Sequence, residues 1–126
     1  MGAAAVVAVT LLTVVAVFQI GLAVGAPWGA AAWGGKYQGV LPAGLRVVSG
    51  VAGILVYPLI ALFILRAADL IDVAWLPGGA VGMWIVAAVF TVGALANFAS
   101  RSKVERAWGP VALAIAICSA IIALAL

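Results

Sequence analysis

Four long apolar runs follow one another along the chain, and the charged residues all lie at their ends or between them. The runs cover about residues 3–25, 46–66, 80–99 and 102–126. Each approaches the roughly 20 residues that a helix needs to cross the hydrocarbon core of a bilayer. Apolar residues occupy every face instead of alternating, which favours helices over barrel strands. The pattern therefore predicts an all-α integral membrane four-helix bundle with short connections, folded as a single transmembrane domain over residues 1–126.

The fourth run is long enough only if its helix begins before Pro110. The sequence SKVE, from Ser102 to Glu105, is typical of a capping box. In such a box the hydroxyl and the carboxylate each accept a hydrogen bond from a backbone N–H of the first turn. The helix is therefore predicted to start at Ser102, with Pro110 inside it as a kink.

Composition supports a membrane location and excludes several kinds of chemistry. The chain is 69% hydrophobic and 7% charged, against roughly 45–50% and 25% for a soluble domain. It has no histidine, and Cys118 is its only cysteine. Thiolate and imidazole metal sites and His-based acid–base catalysis are thereby excluded. We expect no metal, no cofactor and no nucleic-acid partner, and the net charge of +3 favours contact with anionic lipid headgroups.

The cations are distributed unevenly between the two ends of the predicted bundle. The end with the first and third connections carries Lys36, Arg46, Arg101, Lys103 and Arg106, whereas the other end carries Arg66 alone. Lys and Arg in short loops stay on the cytoplasmic side. Both termini are therefore predicted to lie outside. Asp69 follows Arg66 by three residues, a spacing that favours an exposed ion pair.

The first connection, APWGAAAWGGKYQGVLPAGL, is rich in Gly and Trp and is expected to lie at the membrane interface. Its two prolines discourage a continuous helix, and its glycines let backbone approach backbone or ligand closely. Two interpretations stay open. The segment is either an aromatic interfacial turn or a lid that lines a pocket for a lipid headgroup.

A candidate headgroup site can be assembled from the two connections on the cation-rich end. Its residues are Trp28, Trp33, Lys36, Tyr37, Arg46, Asn97, Arg101, Glu105 and Arg106. If the third helix continues past Asn97, then Asn97, Arg101 and Glu105 project from one face at i+4 spacing. Arginine suits phosphate because its planar fork donates two hydrogen bonds. The alternative is structural: Arg101 pairs with Glu105, and the arginines only anchor the helix ends.

Small residues four apart could let helix backbones touch, either within the chain or across a contact with another membrane protein. Such pairs occur at Gly21-x-x-x-Gly25, Ser49-x-x-x-Gly53 and Gly78-x-x-x-Gly82.

The strings GAPWG, WGG, LPAGLRVVSG, NFASRSKVER and WGP resemble small four-span bacterial membrane proteins of uncharacterised function, and the resemblance would cover nearly the whole chain. The resemblance implies a multi-pass protein of the bacterial cytoplasmic membrane, and it supplies no activity or catalytic residue.

Three functions remain open. The first is a non-enzymatic subunit or scaffold that packs with a partner membrane protein or a second copy and contacts anionic lipid. The second is a channel or facilitator for a small solute, and the third is a lipid-modifying enzyme.

Overall fold

The computed structural model describes residues 1–126 and is entirely helical. Four helices are long and apolar enough to cross a membrane: α1 (Gly2–Ala23), α2 (Ala43–Ala67), α3 (Ala80–Phe98) and α4 (Lys103–Ala125). The predicted all-α architecture with four such helices is confirmed, and it indicates a multi-pass membrane protein. The first loop, residues 24–42, contains two single 3₁₀ turns.

The helices do not pack as four equal neighbours. The most extensive contact is between α3 and α4, while α1 packs on both α2 and α4. In contrast, α2 and α3 touch at few positions, one of which is the tilted pair of Tyr57 and Phe90 rings with centroids 6.4 Å apart. Contact between α2 and α3 is therefore limited, although the Phe63 ring of α2 lies where a Cβ on Gly82 of α3 would stand.

The main core fills the half of the bundle that carries the two chain termini. Leu12, Ile64, Met83, Ile115 and Ile122 are at most 1% exposed there. Buried alanines on all four helices belong to the same cluster, and their small side chains let the helices approach closely. The opposite half, beneath the first loop, is packed less fully and contains the candidate site.

Helix α2 is interrupted by a π-helical turn over Ala52–Val56, directly before Pro58. Proline has no N–H to donate, and its ring clashes with the carbonyl four residues earlier, here that of Ile54. A wider turn accommodates both effects. Gly53, within this turn, lies so close to α1 that a Cβ would be 2.8 Å from the Ala16 carbonyl oxygen.

Two of the predicted small residues provide close helix-to-helix packing: Gly53 against the backbone of α1, and Gly82 of α3 against the Phe63 ring of α2. Gly21 lies under the indole of Trp28, a loop residue, and α1 ends before Gly25. The Gly21-x-x-x-Gly25 prediction of two touching helices is therefore wrong, because a folded loop covers this part of α1.

The start of α4 confirms half of the predicted capping box. The Ser102 hydroxyl accepts a hydrogen bond from the Glu105 N–H at 3.2 Å. The reciprocal bond is absent, because the Glu105 carboxylate accepts from the Gly34 N–H in the first loop. The Ser102 N–H donates instead to the Ser100 hydroxyl at 3.1 Å.

Helix α4 is irregular where the proline kink was predicted. The first turn, Lys103–Arg106, is separated from the regular helix Trp108–Ala125 by a turn at Ala107. Pro110 lies four residues after Arg106, so it cannot donate to that carbonyl and crowds it.

The prediction that Asn97, Arg101 and Glu105 share one helix face is wrong. Helix α3 ends at Phe98, and the chain turns before α4 begins. Ser102 must adopt an extended conformation to cap α4, since an N-cap residue has non-helical dihedral angles. A single helix through this segment is therefore incompatible with the cap.

Candidate functional site

The first loop folds over one end of the bundle and is fixed to the beginning of α4. The Gly34 N–H donates to Oε2 of Glu105 at 2.8 Å, and the Ser102 hydroxyl donates to the Ala30 carbonyl. These bonds join residues more than 70 positions apart. They show that the first and third connections share one end of the bundle, as the topology predicted.

A run of left-handed residues presents the Gly34 N–H to the carboxylate. Trp33, Gly34 and Gly35 have φ angles of 53°, 73° and 73°. At Gly35 a Cβ would also lie 2.6 Å from the Ser102 Cβ. Glycine is required at this position both by the backbone angle and by the closeness of α4.

A cavity of about 430 Å³ lies beneath this loop, within the less packed half of the bundle. All four helices and the loop contribute to its wall. Its polar side chains are Gln19, Tyr57, Asn97 and Glu105, and its other aromatic side chains are Phe18, Trp33, Phe90 and Trp108. This volume is within the range of small-molecule sites, which are also mostly apolar with a few polar groups.

The polar groups of the cavity wall are largely unused by the protein itself. The side chains of Gln19, Tyr57 and Asn97 make no hydrogen bond within the chain. All three residues are partly exposed. Three side chains that can each donate and accept are thus exposed to the cavity.

Glu105 is the only charged residue of the wall. The residue is 8% exposed, and one carboxylate oxygen accepts from Gly34. It forms no ion pair, since the only one in the structure joins Arg66 to Asp69 at 3.9 Å at the other end of the bundle. That exposed pair was predicted from the i,i+3 spacing and is confirmed.

Three of the residues predicted for a headgroup site, Trp33, Asn97 and Glu105, line the cavity. Asn97 lies on α3 and Glu105 on α4, and the turn between these helices places both side chains in the same cavity wall. The alternative pairing of Arg101 with Glu105 is not formed. Arg101 and Arg106 are exposed outside the cavity.

The remaining predicted residues have other surroundings. Trp28 stacks on Phe18, with ring centroids 6.0 Å apart and an interplanar angle of 8°. The Lys36 ammonium lies 5.5 Å from the centre of the Tyr37 ring. Arg46 donates from Nε to the Ala23 carbonyl at 3.1 Å, and it thereby satisfies an unpaired carbonyl at the end of α1.

Sequence reasoning missed most of the cavity wall. Gln19 and Tyr57 are conspicuous as polar residues within apolar runs, but no spacing joins them to a site. Pro58 is the one usable signal, because a proline inside a helix often accompanies a widened turn. The wall positions on α3, Phe90, Gly93 and Asn97, do follow helical spacing.

Comparison with protein-family models, with curated proteins and with solved structures found no match. The functional interpretation therefore relies on the residues and their geometry.

Proposed function

We propose that this chain is a non-enzymatic, multi-pass subunit or scaffold of the bacterial cytoplasmic membrane that contacts anionic lipid at the end carrying the first loop. The observation that carries the proposal is a set of exposed cations at that end without carboxylate partners. They are Lys36, Arg101, Lys103 and Arg106. The single carboxylate there, Glu105, is buried and accepts from the loop backbone.

The two ends of the bundle differ in charge. Five cations and one carboxylate belong to the loop end, while the other end has Arg66, Asp69 and Asp72. Each cation near an anionic membrane surface contributes about 1 kcal/mol of attraction. The same asymmetry supports a cytoplasmic loop end with both termini outside.

The residues also support a non-enzymatic role over the alternatives. Beside its one carboxylate the cavity wall has no histidine, cysteine or lysine, and Tyr57 is its only other side chain that could act as an acid or a base. In the half of the bundle that carries the chain termini, the interior is filled by the buried side chains of Ile64, Met83, Ile115 and Ile122. This packing disfavours a path for a solute through a single copy of the bundle.

Native mass spectrometry after gentle extraction tests the lipid contact and the subunit role together. We expect phosphatidylglycerol to be retained in preference to phosphatidylcholine. A variant with Arg101, Lys103 and Arg106 all changed to Gln should lose most of that preference. Arg66→Gln is the matched control, because Arg66 lies at the opposite end. Equal retention in the triple variant and the wild type would contradict the lipid proposal.

The same spectra report the partner. A stoichiometric second protein or a homo-oligomer supports a subunit that packs with other helices, and a solitary monomer at native expression level contradicts it.

Orientation is tested separately with alkaline phosphatase fused after Leu126. Because that enzyme is active only outside the cytoplasm, we expect full activity. An inactive fusion with normal expression would show the opposite orientation.

A further inference from the structure

We propose that the cavity beneath the first loop binds a lipophilic organic cation, with Glu105 as its counter-charge. This inference is independent of the lipid proposal, which concerns the exposed cations outside the cavity. It rests on the composition of the cavity wall, which has one carboxylate and no Lys or Arg, whereas the surface around it carries several Lys and Arg.

The cavity wall carries a negative charge and no positive charge. Five Lys and Arg residues belong to this end of the bundle, yet none lines the cavity, and its only charged side chain is Glu105. The carboxylate has no ion pair. Withdrawal of a carboxylate from water without a counter-charge is unfavourable. A bound cation would restore an opposite charge at a site of reduced dielectric constant, where the attraction is stronger than in water.

The aromatic lining favours the same class of ligand. Phe18, Trp33, Tyr57, Phe90 and Trp108 all contribute to the wall. The faces of these rings attract cations, most strongly in tryptophan. Phe18 and Trp108 are held against each other, with ring centroids 4.8 Å apart, so that part of the wall is fixed by packing.

The unused polar groups are compatible with a cation and do not require an anion. The carboxamides of Gln19 and Asn97 and the hydroxyl of Tyr57 have oxygens that can accept hydrogen bonds from an ammonium or orient toward a delocalised charge. An anionic ligand would face Glu105 without any compensating cation in the wall.

The size and chemistry of the wall indicate an organic ion and not a metal ion. The cavity of about 430 Å³ is far larger than a metal site. No group of three or more His, Cys, Asp or Glu residues exists in the chain, whereas Ca²⁺ and transition metals require several such ligands.

Equilibrium binding of radiolabelled tetraphenylphosphonium to the purified full-length chain in detergent tests the inference. We expect saturable binding of one cation per chain. Triphenylphosphine oxide, which is neutral, should compete poorly, and tetraphenylborate, an anion tested alone because it precipitates the cation, should show no saturable binding. Glu105→Gln keeps an oxygen that can accept from Gly34 but removes the charge, and it should weaken binding by about tenfold or more.

A second pair of variants tests the location without touching the carboxylate. Gly93 lines the cavity and has open space where a Cβ would stand, so Gly93→Leu should occupy part of the cavity and reduce binding strongly. Gly44 has similar open space but lies outside the cavity, and Gly44→Leu should bind as the wild type does.

Several results would overturn the proposal: an absence of saturable binding, equal competition by the neutral compound, saturable binding of the anion alone, or wild-type affinity in either Glu105→Gln or Gly93→Leu. Loss of lipid preference in the Arg and Lys variants would leave the cation result unchanged, so the two proposals fail separately.

Discussion

Docking of the first loop on α4 depends on Gly35, and replacement of this residue by alanine should release the loop. Alanine at the observed φ of 73° costs roughly 1–2 kcal/mol, partly offset by about 0.4–1 kcal/mol from reduced freedom of the undocked loop. The added Cβ would also lie 2.6 Å from the Ser102 Cβ, where ordinary carbon contacts are about 3.5–4.0 Å. The loop and α4 must therefore separate by about 1 Å.

That separation would break the bonds that hold the loop. The Gly34 N–H to Glu105 distance of 2.8 Å would exceed a hydrogen-bond length, and the Ser102 bond to Ala30 would be lost too. A bond to a charged group contributes about 1.5–3 kcal/mol and a neutral one about 1 kcal/mol. Together with the backbone term, Gly35→Ala should weaken loop docking by about 3–4 kcal/mol, or roughly two to three orders of magnitude in the docking equilibrium.

Amide hydrogen exchange measured by NMR in micelles reports this equilibrium at position 34. The matched control is Gly34→Ala, because Gly34 has the same φ of 73° but open space around its Cβ. We expect the protection factor to fall less than about tenfold in this control, from the backbone term alone. Equal losses of protection in the two variants would refute the contact with Ser102 as the basis of docking.

Two further predictions concern α1 and α2, and both are measured by thermal unfolding in detergent, followed by tryptophan fluorescence. Arg46→Leu removes the donor to the Ala23 carbonyl and should destabilise the bundle by about 1.5–3 kcal/mol; an unchanged midpoint would contradict a capping role. Gly53→Ala places a Cβ 2.8 Å from the Ala16 carbonyl oxygen and should cost about 1–3 kcal/mol through overpacking. Gly44→Ala, in open space on the same helix, should unfold at the wild-type temperature or slightly above it.

The four helices were predictable because run length and hydropathy decide them locally. Even two of the polar residues within α1 form their hydrogen bonds inside the helix. Thr10 and Thr13 donate to carbonyls four residues earlier, at 2.7 and 2.8 Å, so neither needs a partner outside its own turn. The common end of the first and third connections also follows from the number of spans alone.

The docked loop was not predictable in the same way, because its bonds are distant in sequence. A capping box at Ser102 is predicted from four adjacent residues, and the bond from the Glu105 N–H to the Ser102 hydroxyl is confirmed. The carboxylate of Glu105 found its partner 71 positions away. This hydrogen bond forms because the left-handed turn at Gly34 docks against α4. A pattern of neighbouring residues in the sequence carries no information about that docking.

The cavity was hidden for a different reason. In a membrane helix every face is apolar, so hydropathy does not distinguish the faces that line a cavity from those that face lipid. Asn97 and Glu105 were predicted together with arginines, and the fold places the two residues in the cavity wall and Arg46, Arg101 and Arg106 outside it. The sequence contains the aromatic and polar residues of the wall, and only the packing of the four helices and the first loop brings them together.

Glu105 belongs to the loop contact and to the cavity at once, and this makes its substitutions informative as a pair. One oxygen accepts from Gly34, while the carboxylate as a whole supplies the only charge of the wall. Glu105→Ala removes both contributions, whereas Glu105→Gln retains an acceptor and removes the charge. If cation binding is weakened in the Gln variant while the amide at position 34 stays protected, the charge itself is responsible. If protection is lost to the same extent in both variants, the loop has moved, and the effect on binding comes through the shape of the cavity.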